Sequence, residues 1–468
     1  MSVEPDSVRA TEVRENAALM FPPGFVWGAA TAAFQVEGAT TADGRTDSVW
    51  DVFARRPGAV RGGDNGEPAA DHYRRYSEDV GLMRRLNLGA YRFSLAWPRV
   101  RPDGGAPNAA GLAFYDRLVD CLLESGVQPW ATLYHWDLPQ ALEDEGGWAA
   151  RDTAARFADY AGVVVDALGD RVRHWSTLNE PMCSALLGYH AGQHAPGHRD
   201  PARAARAVHH LLLGHGLAAR VLRDGGVSSL GLTLNFTPVS PATATPADAD
   251  AARRVDGQQN RMFLEAAVRG SYPADVVADL EAAGAPLPVA DGDLAVIAAP
   301  LDWLGVNYYF SALVGRGVTV AGRPSPVIGA GDVVELDPQG PTTTMGWGID
   351  PEAFTALPLR LTDAAPGLPL VVTENGSAWP DEVGRDGQVH DAERTDYLLR
   401  HLGAVAVAID RGADVRGYFA WSFIDNYEWA RGYAQRFGLV HVDYATQRRT
   451  VKDSGRVYAA VVRRHREV

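Results

Sequence analysis

Two glutamates in this 468-residue chain stand in settings suited to acid chemistry. Glu374 comes at the end of the run Leu-Pro-Leu-Val-Val-Thr-Glu-Asn-Gly over 368–376, where Leu370, Val371 and Val372 read as a parallel strand buried on both faces. Glu180 follows Asn179 in a second run, His174 to Pro181. Each acid thus arrives at the C-terminal tip of a strand. In α/β barrels that tip carries catalytic groups, because the strand fixes the side chain while the next loop leaves room for a ligand. Either carboxylate alone reads as a loop cap. Two of them facing one pocket meet the requirement for glycosidic cleavage, in which one acid protonates the leaving oxygen and the other attacks or stabilises the anomeric carbon. A gap of about 5 to 5.5 Å gives retention and a wider one gives inversion, and spacing along the chain leaves both open.

The elements that must carry these acids recur along the chain. A first strand spans Phe25 to Gln35, small and apolar through Gly28-Ala29-Ala30-Thr31-Ala32-Ala33 and ending in Gln35 and Glu37. Tyr76, Val80 and Met83 then repeat at helical spacing. Strand two, Ala90 to Trp97, carries Arg92. Asn108 suits the N-cap of a helix with Leu112, Tyr115, Val119, Leu122 and Cys121, and Gly126 can close it. Strand three, Gln128 to Trp136, delivers His135-Trp136-Asp137. Asp152 is expected to cap the next helix, which carries Phe157, Tyr160 and Val164 and ends at Gly169. Strand four bears Glu180, and a helix over 203–223 follows it. Strand five is Leu230 to Thr237, and strand six, Leu301 to Phe310, ends in Asn307-Tyr308-Tyr309. After strand seven, which holds Glu374, a helix with Tyr397, Leu398, Leu402, Val405 and Ile409 leads to strand eight, Val415 to Asp425.

Eight strand-like runs alternating with helical ones predict an α/β fold, a single (β/α)8 TIM barrel over 21–468, with 1–20 a disordered N-terminal extension. A bare barrel needs roughly 250 residues, so the surplus falls in long loops on the C-terminal, catalytic face. The expected loops are 36–70, 311–346, 377–390 and 426–449, all of which follow strands. The Ala/Pro/Thr/Asp stretch from Pro241 to Ala252 reads as a surface loop, and Gly376 as the hinge of the turn away from strand seven.

Composition removes several classes of function. A net charge of -14 argues against a nucleic-acid surface, which needs clustered positive charge. Two cysteines, Cys121 and Cys183, supply neither a disulfide framework nor a multi-cysteine zinc site, and Cys121 is expected in the core. The first twenty residues carry Glu4, Asp6, Glu12 and Glu15 without an apolar segment, and no later run has the length of a membrane span. The cytoplasm is the expected setting, and no feature fixes an oligomeric state.

The other polar strand ends suit a sugar. Gln35, His135, Asn179 and Glu428 can exchange hydrogen bonds with several hydroxyls, while Trp136, Trp347, Trp421 and Trp429 offer flat faces to the C–H side of a ring. At this point longer motifs stand out. Phe25-Val26-Trp27-Gly28-Ala29-Ala30-Thr31-Ala32-Ala33-Phe34-Gln35-Val36-Glu37-Gly38-Ala39, Tyr91-Arg92-Phe93-Ser94, His135-Trp136-Asp137-Leu138-Pro139, Thr177-Leu178-Asn179-Glu180-Pro181 and His194-Ala195-Pro196-Gly197 come first. Asn307-Tyr308-Tyr309, Met345-Gly346-Trp347, Val372-Thr373-Glu374-Asn375-Gly376, Trp421-Ser422 and Asp425-Asn426-Tyr427-Glu428-Trp429 complete the series. Together they resemble family 1 glycoside hydrolases, most of all the bacterial β-glucosidases, from Phe21 to the C-terminal helix.

That resemblance implies a retaining β-glucosidase acting on terminal nonreducing β-D-glucosyl residues of small glucosides, with side activity on β-galactosides and β-fucosides and a role in cellulose breakdown. It implies Glu180 as acid/base and Glu374 as nucleophile, supported by Arg92, Asn307 and Tyr309. It assigns Gln35, His135, Asn179, Glu428 and Trp429 to the sugar hydroxyls, with Trp136 among the substrate-binding aromatics, Trp421 beneath the ring and Trp347 beside the aglycone. The only partner implied is a small glycoside, and the mechanism needs no cofactor or metal. Glu428 would repel a 6-phosphate, which argues against a phospho-β-glycosidase. A plant-type thioglucosidase lacks the glutamate that stands here as Glu180, and a noncatalytic sugar-binding barrel would be expected to have lost one acid. A transglycosidase would use the same residues as a hydrolase. Two positions depart from the family pattern: Ser377, expected to be harmless, and Arg431, expected to alter the pocket rim.

Overall fold

Leu370–Asn375 is buried along its whole length, as a strand flanked on both faces must be. In the computed structural model, which describes residues 20–317 and 326–466, it belongs to a closed ring of eight parallel strands. These are β1 (Val26–Ala30), β2 (Ala90–Ser94), β3 (Gln128–Tyr134), β4 (His174–Asn179), β5 (Ser229–Asn235), β6 (Trp303–Asn307), β7 (Leu370–Asn375) and β8 (Val415–Trp421). Each strand hydrogen-bonds its neighbour in chain order, and β8 closes on β1. The expected (β/α)8 barrel is present. The extension expected over 1–20 lies outside the described residues but for Met20.

The strands are shorter than the apolar runs, and the difference matters to the site. β1 stops at Ala30, so Gln35 rides on a helical turn, Ala33–Val36. β3 stops before His135, and Trp136 takes φ +78°; β4 stops at Asn179, and Glu180 takes φ +48°. A side chain in the left-handed region cannot continue a strand, whatever its hydrophobicity. The register brings the tips to one level. Ala30 pairs with both Trp421 and Arg92, and Asn307 with both Asn235 and Glu374. Beneath them Trp130, Trp303 and Phe419 fill the barrel, with ring centroids 5.3 and 5.1 Å from Trp130. Glycines across the barrel make the space: a Cβ on Gly231 would fall 2.4 Å from the Trp303 ring.

Three local expectations need correction. Asn108 does cap its helix, Ala109–Glu124, accepting from the Ala110 amide at 3.3 Å. Asp152 instead begins its helix, Asp152–Leu168, without capping it, because its carboxylate is drawn to Arg156 one turn on, at 2.7 Å. The stretch over 241–252 is not a loop. After a strand, Val239–Pro241, it forms the helix Pro246–Asp256, with Thr245 accepting from Asp248 N–H and proline at the first position. That strand joins Ala312–Arg316 and Val333–Glu335 in a small sheet, so much of the long loop after β6 is folded. Cys121 is half-buried rather than core.

The loops after β7 and β8 are held by a buried ion cluster around Lys452, the only lysine in the chain. Its ammonium lies 2.5 Å from Asp381 and 2.6 Å from Asp425. Arg394 binds Asp381 and Asp391, and Arg436 binds Asp425 at 2.6 Å. Asp391 in turn accepts from Ser454 at the start of the C-terminal helix, Asp453–Arg466. Against burial, which would raise it, Lys452, Arg436 and Arg394 hold the Asp425 carboxyl at about 2. Replacing Lys452 with methionine leaves two buried carboxylates short of a partner. It is expected to cost about 3–5 kcal/mol, read as a lowered midpoint in denaturant unfolding. Among the described residues no helix is long and apolar enough to cross a membrane.

Candidate active site

Glu374, on β7, is gripped at both oxygens. Arg92 from β2 donates to Oε1 at 2.6 Å, and the Tyr309 hydroxyl, past the end of β6, donates to Oε2 at 2.7 Å. Glu180 sits differently. Its Oε1 accepts from the Asn307 amide at 2.7 Å, and its Oε2 accepts from the Cys183 thiol at 3.3 Å. Asn179 links the two acids: its Oδ1 accepts from Arg92 at 2.6 Å and from Asn307 at 3.1 Å. Thr373 turns Asn307 into place, donating to its Oδ1 at 2.7 Å. Sequence reasoning missed Thr373 and Cys183. The first acts only through Asn307, 66 positions away, a relation without a local signal.

The polar tips expected to meet sugar hydroxyls converge on the same mouth. Because Asn179 Oδ1 is committed to two donors, its Nδ2 faces His135 Nε2 at 3.0 Å, so His135 Nε2 accepts and Nδ1 carries the proton. Burial first, and the Arg92 charge second, hold His135 well below the ordinary histidine range, so the ring is neutral. Gln35 spends both amide hydrogens, on Asn426 Oδ1 at 3.0 Å and Tyr427 O at 2.7 Å. Its Oε1, together with His135 Nδ1 and Glu428 Oε2, is buried and has no partner among the described residues. Three such orphans, each from a segment that follows a different strand, are costly unless a ligand supplies hydroxyls.

The tryptophans divide by role. Trp421 ends β8 and lies nearly parallel to His135, 5.9 Å between rings and 21° between planes. Trp429, at φ +47°, is packed between Phe34, Trp50 and Trp136. Trp136 commits its indole N–H to the Asn179 carbonyl at 2.9 Å, which makes it a buttress for Trp429 and Asn179. Trp347 stands apart, half-buried and stacked 5.1 Å from Phe310 on the flank beside Tyr309. Gly376, expected to permit the turn away from the strand, is needed there for space: a Cβ would fall 1.7 Å from the Trp421 carbonyl oxygen. Gly376→Ala is therefore expected to displace Trp421, lowering kcat/KM at least tenfold and stability by about 1–3 kcal/mol, as activity assays and denaturant unfolding would read. Ser377 is buried and accepts the Trp379 indole N–H at 2.8 Å, an internal role.

Three carboxyls share this site with one guanidinium. Burial first, then the Glu374 charge, pushes Glu180 up to about 8. Burial, then the charges of Glu374 and Glu180, pushes Glu428 to about 8 as well. Burial also raises Glu374, but the Arg92 charge and the hydrogen bonds from Arg92 and Tyr309 oppose it. Near neutrality the negative charge therefore resides on Glu374, beside Arg92, and Glu180 keeps its proton.

Known proteins share this chain's sequence and fold. The profile described as "Glycosyl hydrolase family 1" matches residues 17–467. Thermostable β-glucosidase B of Thermobispora bispora is 51% identical over 449 residues, covering 96% of this chain and 91% of that protein. The bifunctional β-D-glucosidase/β-D-fucosidase of Bifidobacterium breve is 49% identical, covering 96% and 99%. Among solved structures, the psychrophilic β-glucosidase of Micrococcus antarcticus superposes with a TM-score of 0.94 at 50% identity, covering 96% of this chain and 99% of that one. The chain belongs to glycosyl hydrolase family 1.

Proposed function

We propose that the protein is a retaining β-glucosidase that removes terminal nonreducing β-D-glucosyl residues from small β-glucosides and oligosaccharides, including those released from cellulose. Glu374 is the nucleophile and Glu180 the acid/base. The observation that carries this reading is the unequal support of the two acids: Glu374 takes a guanidinium and a phenol, while Glu180 takes an amide and a thiol. The first arrangement favours a carboxylate and the second tolerates a neutral acid. Asn307 donates to Glu180 and to Asn179, and Asn179 accepts from the Arg92 that holds Glu374, so a short chain of hydrogen bonds ties the two acids, which supports the close pair of a retaining enzyme.

Glu374 attacks C1 while Glu180 protonates the departing oxygen, leaving a glucosyl ester on Glu374. Esterification removes the negative charge that raised Glu180, so Glu180 ionises and can take a proton from the incoming water. Gln35 Oε1, Glu428 Oε2 and His135 Nδ1 serve the glycone hydroxyls, with Asn179 beside the reacting centre and Trp421 and Trp429 walling the ring. Trp347 and Phe310 flank the aglycone. A relative named for both glucosidase and fucosidase activity supports side activity on β-fucosides, and β-galactosides are a second expected glycone. Two unpaired cysteines fit a reducing cytoplasm.

The test is release of nitrophenol from the β-D-glucoside, β-D-galactoside, β-D-fucoside and 6-phospho-β-D-glucoside, with the anomer of the first-formed sugar followed by NMR. Turnover of the unphosphorylated glucoside to β-glucose is expected. Turnover of none, or of the phosphorylated substrate alone, would sink the assignment.

A further inference from the structure

Glu180 has two carboxyl oxygens, and its surroundings do not treat them alike. Oε1 meets the Asn307 Nδ2 amide at 2.7 Å, whose orientation is settled because Asn307 Oδ1 accepts from Thr373. An amide N–H only donates, so Oε1 must accept, and in the neutral acid the proton belongs on Oε2. Oε2 is the oxygen that the Cys183 thiol faces at 3.3 Å. A tight turn sets this contact: Cys183 N–H donates to the Glu180 carbonyl at 3.0 Å, with Glu180 at φ +48°. Burial first, and the Glu180 charge next, raises the thiol well above its ordinary range, so Cys183 stays a neutral S–H donor.

We propose that Cys183 is a positioning residue for catalytic proton transfer: its S–H backs Glu180 Oε2, the oxygen that gives the proton to the leaving group and later takes one from water. This inference rests on the reading of Glu180 as acid/base. In the first half-reaction the Oε2–H bond breaks and the proton passes to the glycosidic oxygen. That oxygen keeps the electron pair of the broken C1–O bond, while Glu374 forms a new bond to C1. Oε2 is now anionic, and the thiol hydrogen bond becomes charge-assisted. In the second half-reaction water oxygen bonds to C1, its proton returns to Oε2, and the ester pair returns to Glu374. The thiol is a weak donor, so it favours the ionised acid slightly without removing the proton that the first step needs.

Glu374, Arg92 and Glu428 also act on Glu180 through charge, and Tyr309 stays a neutral donor to Glu374. None of these is changed by substituting Cys183, so its part can be isolated. The experiment is the pH dependence of kcat/KM on nitrophenyl β-glucoside for the intact protein, Cys183→Ala and Cys183→Val. Activity requires protonated Glu180 and falls as pH rises through its pKa, so losing a donor to the carboxylate moves the fall to higher pH. A shift of about half a pH unit is expected in both variants, one smaller than cysteine and one close to its size. If alanine prevents folding, valine carries the test. A merely structural role lowers kcat/KM equally at every pH. An unmoved limb in the folded variants, or a shift in only one of two that fold, overturns the proposal. Azide trapping with Glu180→Gly is the separate check on the reading beneath it: without a β-glucosyl azide product that reading fails, whatever Cys183 does.

Discussion

Replacing Glu374 by glycine is expected to abolish hydrolysis of nitrophenyl β-glucoside, lowering kcat by about 10⁵-fold or more, because it removes a member of a unit that acts together. The loss should come without unfolding. The Glu374 side chain is held by Arg92 and Tyr309, and without it Arg92 keeps its bond to Asn179 and Tyr309 its packing against Trp347. Glycine also leaves a space on the face from which the nucleophile approached. Azide can occupy it and attack C1 from the same face as Glu374, opposite the leaving group, so added azide should restore turnover of an activated glucoside and yield α-glucosyl azide. Mass spectrometry and the anomeric coupling in NMR would read this. Recovery of the β-azide instead would remove Glu374 from the nucleophile's place, since inversion at C1 must occur once.

Glu180→Gly should behave differently, and the difference tests the division of labour. General acid help matters most when the leaving oxygen is basic, so hydrolysis of an alkyl glucoside should fall by about 10²–10⁴-fold. A dinitrophenyl glucoside needs little protonation, and its first step should survive. The glucosyl-enzyme then waits for water without a base, and azide, which needs none, should release it as β-glucosyl azide. The pH profile supplies the sign. In the intact protein kcat/KM should fall above a limb near pH 8, where Glu180 loses its proton. In Glu180→Gly that limb should vanish for the activated substrate. A limb that persists unchanged would assign it to another group, with Glu428, also pushed to about 8, the first to examine.

The strands, though not where they end, were readable because each depends on a few neighbouring residues. Leu370, Val371 and Val372 form a buried strand wherever they lie, and eight such runs separated by helical spacing leave few architectures other than a closed barrel. Asn108 was readable for the same local reason, whereas Asp152 was misread because Arg156, four residues on, competed for its carboxylate. The helix over 246–256 was hidden by composition: Pro and Thr look like loop until one is seen at the first helical position and the other at the cap.

The sequence by itself therefore determined the order of the barrel, the motifs at its strand tips and the pairing of two glutamates as the chemistry to expect. Only the tertiary structure decided how each side chain's capacity is spent. Gln35 and Asn426 meet across 391 positions, and Arg92 and Glu374 across 282. Trp136 and Trp421 are the same residue type at the ends of two barrel strands, β3 and β8. Yet Trp136 gives its N–H to the Asn179 backbone, while Trp421 lies nearly parallel to His135 with its carbonyl wedged against Gly376. A hydrogen bond exists only where distance and direction are both satisfied, and closing the barrel sets those quantities for residues that the chain itself keeps far apart.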